Sequence, residues 1–401
     1  MPTRRLLYRL LVAAVGFLAM SEGLPLTGAG AAGVPGAFQL HLLAPLPAGL
    51  RPLANGPVVG SAFVDGRLWI GFESLSARPT RGSCIAVTAC SSPLPPPTHG
   101  LVAILSAKTG RLLATMSTGT NPRLAAADGH IWIGTMRSLP YDGTISPQMP
   151  RVPAVGGGWV REYDGRSGRL LHTYKVPFPT DITATGNRAY VFSLIPKHPY
   201  EGGDILELEG GRTRTVTGLI KGITYGPMAI CDDRIAISTT IPGRATPSSS
   251  DGSIRADLTV VSLQSGRRRS EPIPKTASWT TCAGNKMVLV PFFRNKRVMV
   301  YNDAWPPRVV SSLPAGETST VAVSSGRSLW LTLSKGPSLT SPYVVERYAN
   351  GHWSEVPVHP PLGHLQADTW SLAAGPHKLL FLGDGNVYSL TGTALEGRGV
   401  T

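Results

Sequence analysis

The stretch RLAAADGHIWIG, residues 123–134, decides the fold, because it has the pattern of two short β-strands joined by a tight turn. An Asp-Gly pair at its centre is typical of two-residue hairpin turns, which require positive φ. The second half combines Ile and Trp, residues that favour strands. A lone hairpin is only marginally stable in water, so this one must pack against other parts of the chain.

The same hairpin pattern occurs seven times, and the copies align on the turn. They span residues 61–72, 123–134, 182–193, 228–239, 279–290, 321–332 and 370–382. Aromatic residues recur near the middle of the second strand, at Trp69, Trp132, Tyr190, Trp330 and Phe381. We expect these rings to pack between neighbouring repeats, with ligand stacking as the alternative.

A second pair of strands lies between successive hairpins. The sequences GLVAILSAKTGRLLATMSTG (100–119) and GWVREYDGRSGRLLHTYKV (158–176) show it best, with more divergent copies at 256–274 and 296–314. Each repeat thus has four short antiparallel strands, here named A to D. Four such strands in about 40–60 residues are the signature of a β-propeller blade. The sequence therefore predicts an all-β chain with one seven-bladed propeller over residues 32–401.

The two ends of the repeat region complement each other. AFQLHLLAPL (37–46) is an apolar strand with no hairpin partner before it, and the last repeat lacks a good strand D. We expect this N-terminal strand to complete the last blade and to close the ring. Closure would cover the strand edges that a ring of sheets otherwise leaves open.

Residues 1–31 have the composition of a signal peptide. Arg4, Arg5 and Arg9 precede an apolar run from Leu10 to Met20, and small residues follow it. The run is shorter than the roughly 20 apolar residues of a membrane span. We expect a secreted or extracytoplasmic protein, exported by the general route or, because TRRLLYR resembles a twin-arginine signal, by the twin-arginine route. An uncleaved signal that anchors the chain is an open alternative.

The chain is strongly basic, with a net charge of +14 and a pI of about 9.9. Outside the cytoplasm this charge favours contact with anionic cell-surface polymers. No nucleic-acid-binding motif occurs, so nucleic acid is not an expected partner. The expected partner is a small molecule, a glycan or a protein, and the expected state is a monomer.

The segment LVAILSAKTGRLLATMSTGTNPRLAAADGHIWIGT (101–135) resembles the YVTN-type propeller repeat. Ser106 stands where that family usually has Asp, and Trp132-Ile133 stand in place of Tyr-Val. The wider relatives that this resemblance implies are the virginiamycin B lyase-like and quinoprotein-like propellers. The tryptophan that ends the quinoprotein motif is replaced near Thr115, so no quinone or other cofactor is expected. The resemblance implies a fold and not a reaction.

Candidate ligand-binding residues lie where the A strands enter the central channel. The B–C connections of blades 1 to 4 open at the same end and are long, roughly 75–99, 136–157, 195–203 and 241–255. Loops on a rigid scaffold often carry binding sites. The candidates at the channel mouth are Arg123, Asp181, Tyr225, Trp279, Asp368 and Trp370, which suit a small polar or glycan-like ligand. Alternatively, Arg123 and Asp181 form a structural ion pair, and the two tryptophans face the blade core.

The sequence assigns no catalytic residue. His359, His364 and Asp368 could meet a metal, but they lack the tight spacing of a zinc motif, so no metal site is expected. Virginiamycin-type lyases use a loop histidine, and the resemblance offers only His198 for that role. Two function classes therefore remain open. The first is an exported non-catalytic binding or scaffold propeller, and the alternative is a virginiamycin B lyase-like lyase or hydrolase that uses the same pocket.

Four cysteines in an exported chain favour disulfides over free thiols. Cys84 and Cys90 lie close together in the long blade 1 connection and are predicted to pair. Cys231 and Cys282 precede the turn in adjacent repeats, at equivalent places on neighbouring inner strands. Sevenfold geometry separates such positions by about 6 Å, within the range for a disulfide. Two free buried thiols are the alternative for this second pair.

Overall fold

The chain is described here by a computed structural model. The described residues are 39–50, 58–74, 99–136, 157–195, 202–224, 228–241, 255–273, 278–283, 286–291, 297–301, 308–313, 318–325, 328–334, 343–349, 352–359, 371–375, 378–383 and 385–391. They all belong to one compact unit, Phe38–Thr401. Across these ranges the secondary structure is β, with no helix long and apolar enough to cross a membrane. The predicted signal peptide lies outside the described residues.

Seven sheets form the seven blades of a β-propeller, and the strands of each pair in the order A to D. Blade 1 comprises Val58–Val64, Arg67–Ser74, His99–Ser106 and Leu112–Thr118. Blade 2 comprises Thr120–Ala127, His130–Met136, Gly158–Asp164 and Leu170–Val176. Blade 3 comprises Pro179–Thr185, Arg188–Leu194, Gly202–Glu209 and Arg212–Lys221.

The remaining blades repeat this order with one irregularity. Strand A of blade 4 is split into Ile223–Thr224 and Ala229–Cys231, and both pieces pair with Arg234–Ile241, followed by Arg255–Ser262 and Arg268–Ile273. Blade 5 comprises Ser278–Ala283, Lys286–Pro291, Arg297–Tyr301 and Arg308–Ser312. Blade 6 comprises Thr318–Ser325, Ser328–Ser334, Tyr343–Ala349 and His352–Val356.

Blade 7 contains both ends of the ring, which confirms the predicted closure. Its strands A to C are Ser371–Gly375, Lys378–Gly383 and Asn386–Thr391, and its strand D is the N-terminal strand Gln39–Pro45. A feature not predicted is the short strand Val358–His359, which runs parallel to Gln39–Pro45 on its outer side. The N-terminal strand therefore lies between two hydrogen-bonded neighbours, and Leu40 in it is fully buried.

The hairpin turns have the backbone that their residues favour. In the A–B turn of blade 1, Asp65 and Gly66 have φ of 48° and 74°, and in blade 2 Asp128 and Gly129 have φ of 43° and 81°. Positive φ at both central residues matches the right-handed twist of the two strands. The Asp-Gly pairs thus set the register of their hairpins, as the sequence predicted.

The C–D turns of blades 1, 2 and 4 share one hydrogen-bonded pattern. A side-chain oxygen at the first position accepts a bond from the backbone N–H three residues later. The pairs are Ser106 with Thr109 (3.3 Å), Asp164 with Ser167 (2.6 Å) and Ser262 with Ser265 (3.3 Å). Ser106 therefore fills the place of an aspartate without loss of the turn.

The recurring aromatic residues pack between blades, as predicted. Trp69, Trp132, Tyr190, Trp330 and Phe381 are all buried, and Trp69 belongs to a core cluster that includes Tyr163 of blade 2. The centres of those two rings lie 6.3 Å apart. In blade 7, however, the position equivalent to Trp69 is Leu380, and Phe381 is one residue later, so it faces the opposite side of the sheet.

Candidate functional site

A disulfide links Cys231 and Cys282, with their Cα atoms 5.5 Å apart. Cys231 ends strand A of blade 4, and Cys282 lies one residue before the end of strand A of blade 5. The bridge therefore joins two neighbouring inner strands at the A–B turn end of the channel, which confirms this predicted pair. Disulfides persist in oxidising compartments, so the bridge favours an extracytoplasmic location. The predicted pair Cys84–Cys90 lies outside the described residues.

Three of the six candidate ligand-binding residues fall within the described part of the chain. Arg123, Asp181 and Trp279 lie at the beginning of strand A in blades 2, 3 and 5, opposite Gly134, Phe192 and Val290 of strand B. These three residues therefore occupy the same position in their blades. Tyr225, Asp368 and Trp370 lie outside the described residues.

Only one of the three metal candidates, His359, falls within the described residues. His359 lies in the short outer strand of blade 7, opposite His41, while His364 and Asp368 lie outside the described part of the chain. Within that part, no group of three or more His, Cys, Asp and Glu side chains is placed to hold a metal.

Asp181 is a buried carboxylate that links two blades. The strand pairing shifts at Pro179–Asp181, and the side chain is only 7% exposed. One carboxylate oxygen, Oδ1, accepts a 2.8 Å hydrogen bond from the N–H of Ile182. The other, Oδ2, accepts a hydrogen bond from the N–H of Met228 in blade 4. The carboxylate thus supports the backbone of blade 4 just where its strand A is interrupted.

Arg123 lies on the other side of Asp181, in blade 2. Burial raises the pKa of Asp181 to about 7, and the positive charge of Arg123 and the two backbone N–H groups oppose a further rise. Arg123 itself is half-buried, which leaves part of its side chain accessible to solvent. The Asp181 carboxylate therefore lies between Arg123 of blade 2 and the Met228 N–H of blade 4, on the inner strands of the propeller.

The position of Arg123 depends on an irregular entry into blade 2. The pairing shifts between Thr120 and Arg123, and Asn121 has a φ of 53°. The next residue, Pro122, packs so closely against blade 1 that a Cβ on Gly71 would lie 2.5 Å from its carbonyl oxygen. Glycine at position 71 therefore lets the chain approach blade 1 and present Arg123 at the channel mouth.

A separate groove of about 580 Å³ lies on strands C and D of blade 2, and the sequence interpretation missed it. Its lining residues are Gly157, Gly158, Trp159, Arg161, Thr173, Tyr174 and Lys175. The guanidinium carbon of Arg161 lies 5.4 Å from the centre of the Trp159 ring. The alternation W-x-R in strand C is visible in the sequence, but its register with strand D is not.

A buried polar cluster in strands B, C and D of blade 2 links this blade to blade 3. Glu162 accepts a 2.6 Å hydrogen bond from the Tyr174 hydroxyl, and its other oxygen lies 2.8 Å from Nδ1 of His130. The N–H of Gly211 in blade 3 donates to the same tyrosine oxygen. Burial and Glu162 raise the pKa of Tyr174 above its ordinary value. The tyrosine therefore stays protonated and acts as a structural donor.

The described strands and their closure define the protein as a seven-bladed β-propeller, and solved structures support the same class. Hydrazine synthase of Kuenenia stuttgartiensis matches with a TM-score of 0.52 at 11% identity, over 85% of this chain and 96% of that one. The Dos1 propeller matches with a TM-score of 0.50 at 10% identity, over 88% of this chain and 95% of that one. At such low identity the likeness concerns the fold alone.

The β-propeller domain of the Trilobed protease from Pyrococcus furiosus also aligns, with a TM-score of 0.47 at 8% identity, over 83% of this chain and 92% of that one. No protein-family profile and no curated protein matches the sequence.

Proposed function

We propose that this chain is an extracytoplasmic, non-catalytic binding propeller that contacts a small polar or glycan-like ligand, or a protein partner, at the channel mouth. The observation that carries this proposal is that Arg123 and Asp181 occupy the same position on neighbouring inner strands. A buried carboxylate is costly unless it is well compensated.

The fold itself does not require charge at these positions. The residues that correspond to Arg123 and Asp181 in blades 1, 5, 6 and 7 are Gly60, Trp279, Val321 and Ser371, and none of them is charged. Those blades form the same hairpins with uncharged residues. The charge of Arg123 therefore supports a role in binding, whereas Asp181 holds the backbone of blade 4 and positions the site.

The two charged residues have different roles in this proposal. Both oxygens of Asp181 already accept backbone hydrogen bonds, so Asp181 positions the site and does not contact the ligand. Arg123, which lies beside it and is partly exposed, contacts the ligand. A guanidinium group binds carboxylates and other planar oxygen pairs through two parallel hydrogen bonds.

The proposed relationship to YVTN-type and virginiamycin B lyase-like propellers is supported by the shared C–D turns. Those turns place the side chains of Ser106, Asp164 and Ser262 in one structural role. A lyase or hydrolase that uses the same pocket is the alternative function, and it predicts that a bound ligand is consumed.

The test is a ligand screen followed by hydrogen exchange. The purified chain is incubated with uronic acid hexamers, neutral hexasaccharides and muropeptides, and any ligand that raises Tm is used for exchange. We expect slower exchange at 120–124 and 179–182 with no ligand consumed. Protection at the opposite end alone, around 266–269, or no binding at all, contradicts the proposal, whereas turnover supports the enzymatic alternative.

A further inference from the structure

The groove on blade 2 is a second candidate site that is distinct from the channel mouth. Trp159 and Arg161 lie in strand C, and Lys175 lies opposite Trp159 in strand D. Arg123, in contrast, lies in strand A of the same blade. A ligand in this groove would therefore contact the outer half of the blade, while the channel mouth is formed by the inner strands.

The orientation of the groove follows from the alternation of side chains in strand C. Tyr163 contacts Trp69 of blade 1, so residues 159, 161 and 163 of strand C face blade 1. Glu162 and its hydrogen bonds lie on the opposite side, toward blade 3. The carboxylate of Glu162 is therefore not available to neutralise the cations in the groove.

Arg161 and Lys175 differ from three arginines of the neighbouring blades 3 and 4. Arg188, Arg214 and Arg269 each form an ion pair, with Glu209, Glu207 and Glu271. Among the described residues, Arg161 and Lys175 have no carboxylate partner, and the groove lining contains no acidic residue. Arg161 and Lys175 occupy diagonal positions on the paired strands C and D. The Cα atoms of such diagonal neighbours lie about 7–8 Å apart.

Trp159 gives the groove an apolar surface beside these two charges. The ring is only half-buried, in contrast to the fully buried Trp69 and Trp132 of strand B. The guanidinium carbon of Arg161 lies over this ring, within the distance of a cation–π contact. A half-exposed indole between two cations is suited to a ligand with apolar C–H faces and negative groups.

We propose that this groove binds a carboxylated polysaccharide chain. The carboxylates would pair with Arg161 and Lys175, while a sugar ring would lie against Trp159. The volume of about 580 Å³ is in the range of small-ligand sites and would hold a few sugar units. The net charge of +14 adds a long-range attraction for a polyanion.

The experiment measures binding of three probes to the full chain by isothermal titration. The probes are an alginate hexamer, a neutral maltohexaose and hexaglutamate, at low and high salt. The decisive variant is R161Q/K175Q, and the matched control is R166Q, which removes an exposed charge from the C–D turn of the same blade. 5-Fluorotryptophan labelling, with W159F to assign the signal, reports on the groove itself.

We expect the alginate hexamer to bind and to shift the Trp159 fluorine signal, with affinity that falls at high salt. R161Q/K175Q should weaken binding about tenfold or more, since charge-assisted hydrogen bonds are lost, while R166Q changes it less than about twofold. Failure to bind alginate, or equal loss in R166Q, overturns the proposal. Hexaglutamate binding as tight as alginate shows an acidic-peptide site instead. R123A should leave the affinity for alginate unchanged, because Arg123 lies in strand A and outside the groove. A loss in R123A but not in R161Q/K175Q would assign alginate binding to the channel mouth and overturn the groove proposal.

Discussion

The two ends of the channel join neighbouring inner strands by different means. At the A–B turn end, the Cys231–Cys282 disulfide links blades 4 and 5 covalently. At the mouth, the Asp181 carboxylate links blades 3 and 4 through one backbone hydrogen bond beside Arg123. A covalent link adds stability without presenting any group to a ligand, whereas the charged link places a guanidinium group at the mouth. Under the proposed function, the disulfide end stabilises the ring and the mouth binds the ligand.

Removal of the disulfide should have the largest effect on stability. The double variant Cys231→Ala/Cys282→Ala loses a cross-link that closes a sequence separation of 51 residues. The loop-entropy relation gives a loss of about 4 kcal/mol in the free energy of unfolding. Urea denaturation of the variant and the wild type measures it. A loss below about 1 kcal/mol would show that this end of the ring is held by packing alone.

The seam at blade 7 extends the comparison, because its described strands, Gln39–Pro45 and Asn386–Thr391, contain no Asp, Glu, Lys, Arg or Cys. Leu40→Ala removes a fully buried side chain from the closing strand, and we expect a loss of about 2–5 kcal/mol. Leu42, in the same strand, is 42% exposed, so Leu42→Ala is the matched control with a loss below about 0.5 kcal/mol. Equal effects of the two variants on thermal unfolding would contradict the closure.

Loss of the Asp181 carboxylate should have an intermediate effect. Asp181→Ala leaves the N–H groups of Ile182 and Met228 without this acceptor, which costs about 1–3 kcal/mol. Asp204→Asn, in strand C of the same blade and half-buried, is the control. Denaturant unfolding gives the free energy of unfolding of Asp181→Ala and Asp204→Asn relative to the wild type. A neutral Asp181→Ala result would mean that the mouth does not depend on this link.

The pH dependence of stability sharpens the same comparison. The pKa of Asp181 is raised from 3.8 to about 7 in the folded chain, so the folded state holds the proton more tightly than the unfolded state. Stability from this group is therefore fully present below about pH 4 and falls as the pH rises to about 7, by up to about 1.4 kcal/mol per unit. Unfolding between pH 4 and 7 should show this slope in the wild type and not in Asp181→Asn. Identical pH slopes in the wild type and in Asp181→Asn would contradict the assignment of this pH dependence to Asp181.

The repeats explain why so much of the fold was predictable from the sequence. The Asp-Gly turns of blades 1 and 2 fix their hairpins locally, and seven copies that align on the turn fix the number of blades. The Cys231–Cys282 pair was predictable because both residues occupy nearly equivalent places in adjacent repeats. The closing strand was predictable because residues 37–46 lacked a partner.

The features that were missed depend on contacts between distant segments. The split strand A of blade 4 and the bond from Met228 to Asp181 result from a shifted register, which no local pattern reveals. The groove was missed because Lys175 meets Trp159 only once strands C and D are paired. The role of Asp181 also differs from the expected one, since its oxygens bind backbone N–H groups.

The smallest effect on stability and the largest on binding are expected at Arg123. The most direct test of binding at the channel mouth is therefore isothermal titration of wild type, Arg123→Ala and the exposed-site control Arg111→Ala, with the panel member that slows hydrogen exchange at residues 120–124. We predict that Arg123→Ala weakens binding about tenfold or more while its Tm stays within about 2 °C of the wild type. Unchanged affinity in Arg123→Ala, or an equal loss in Arg111→Ala, would contradict the account.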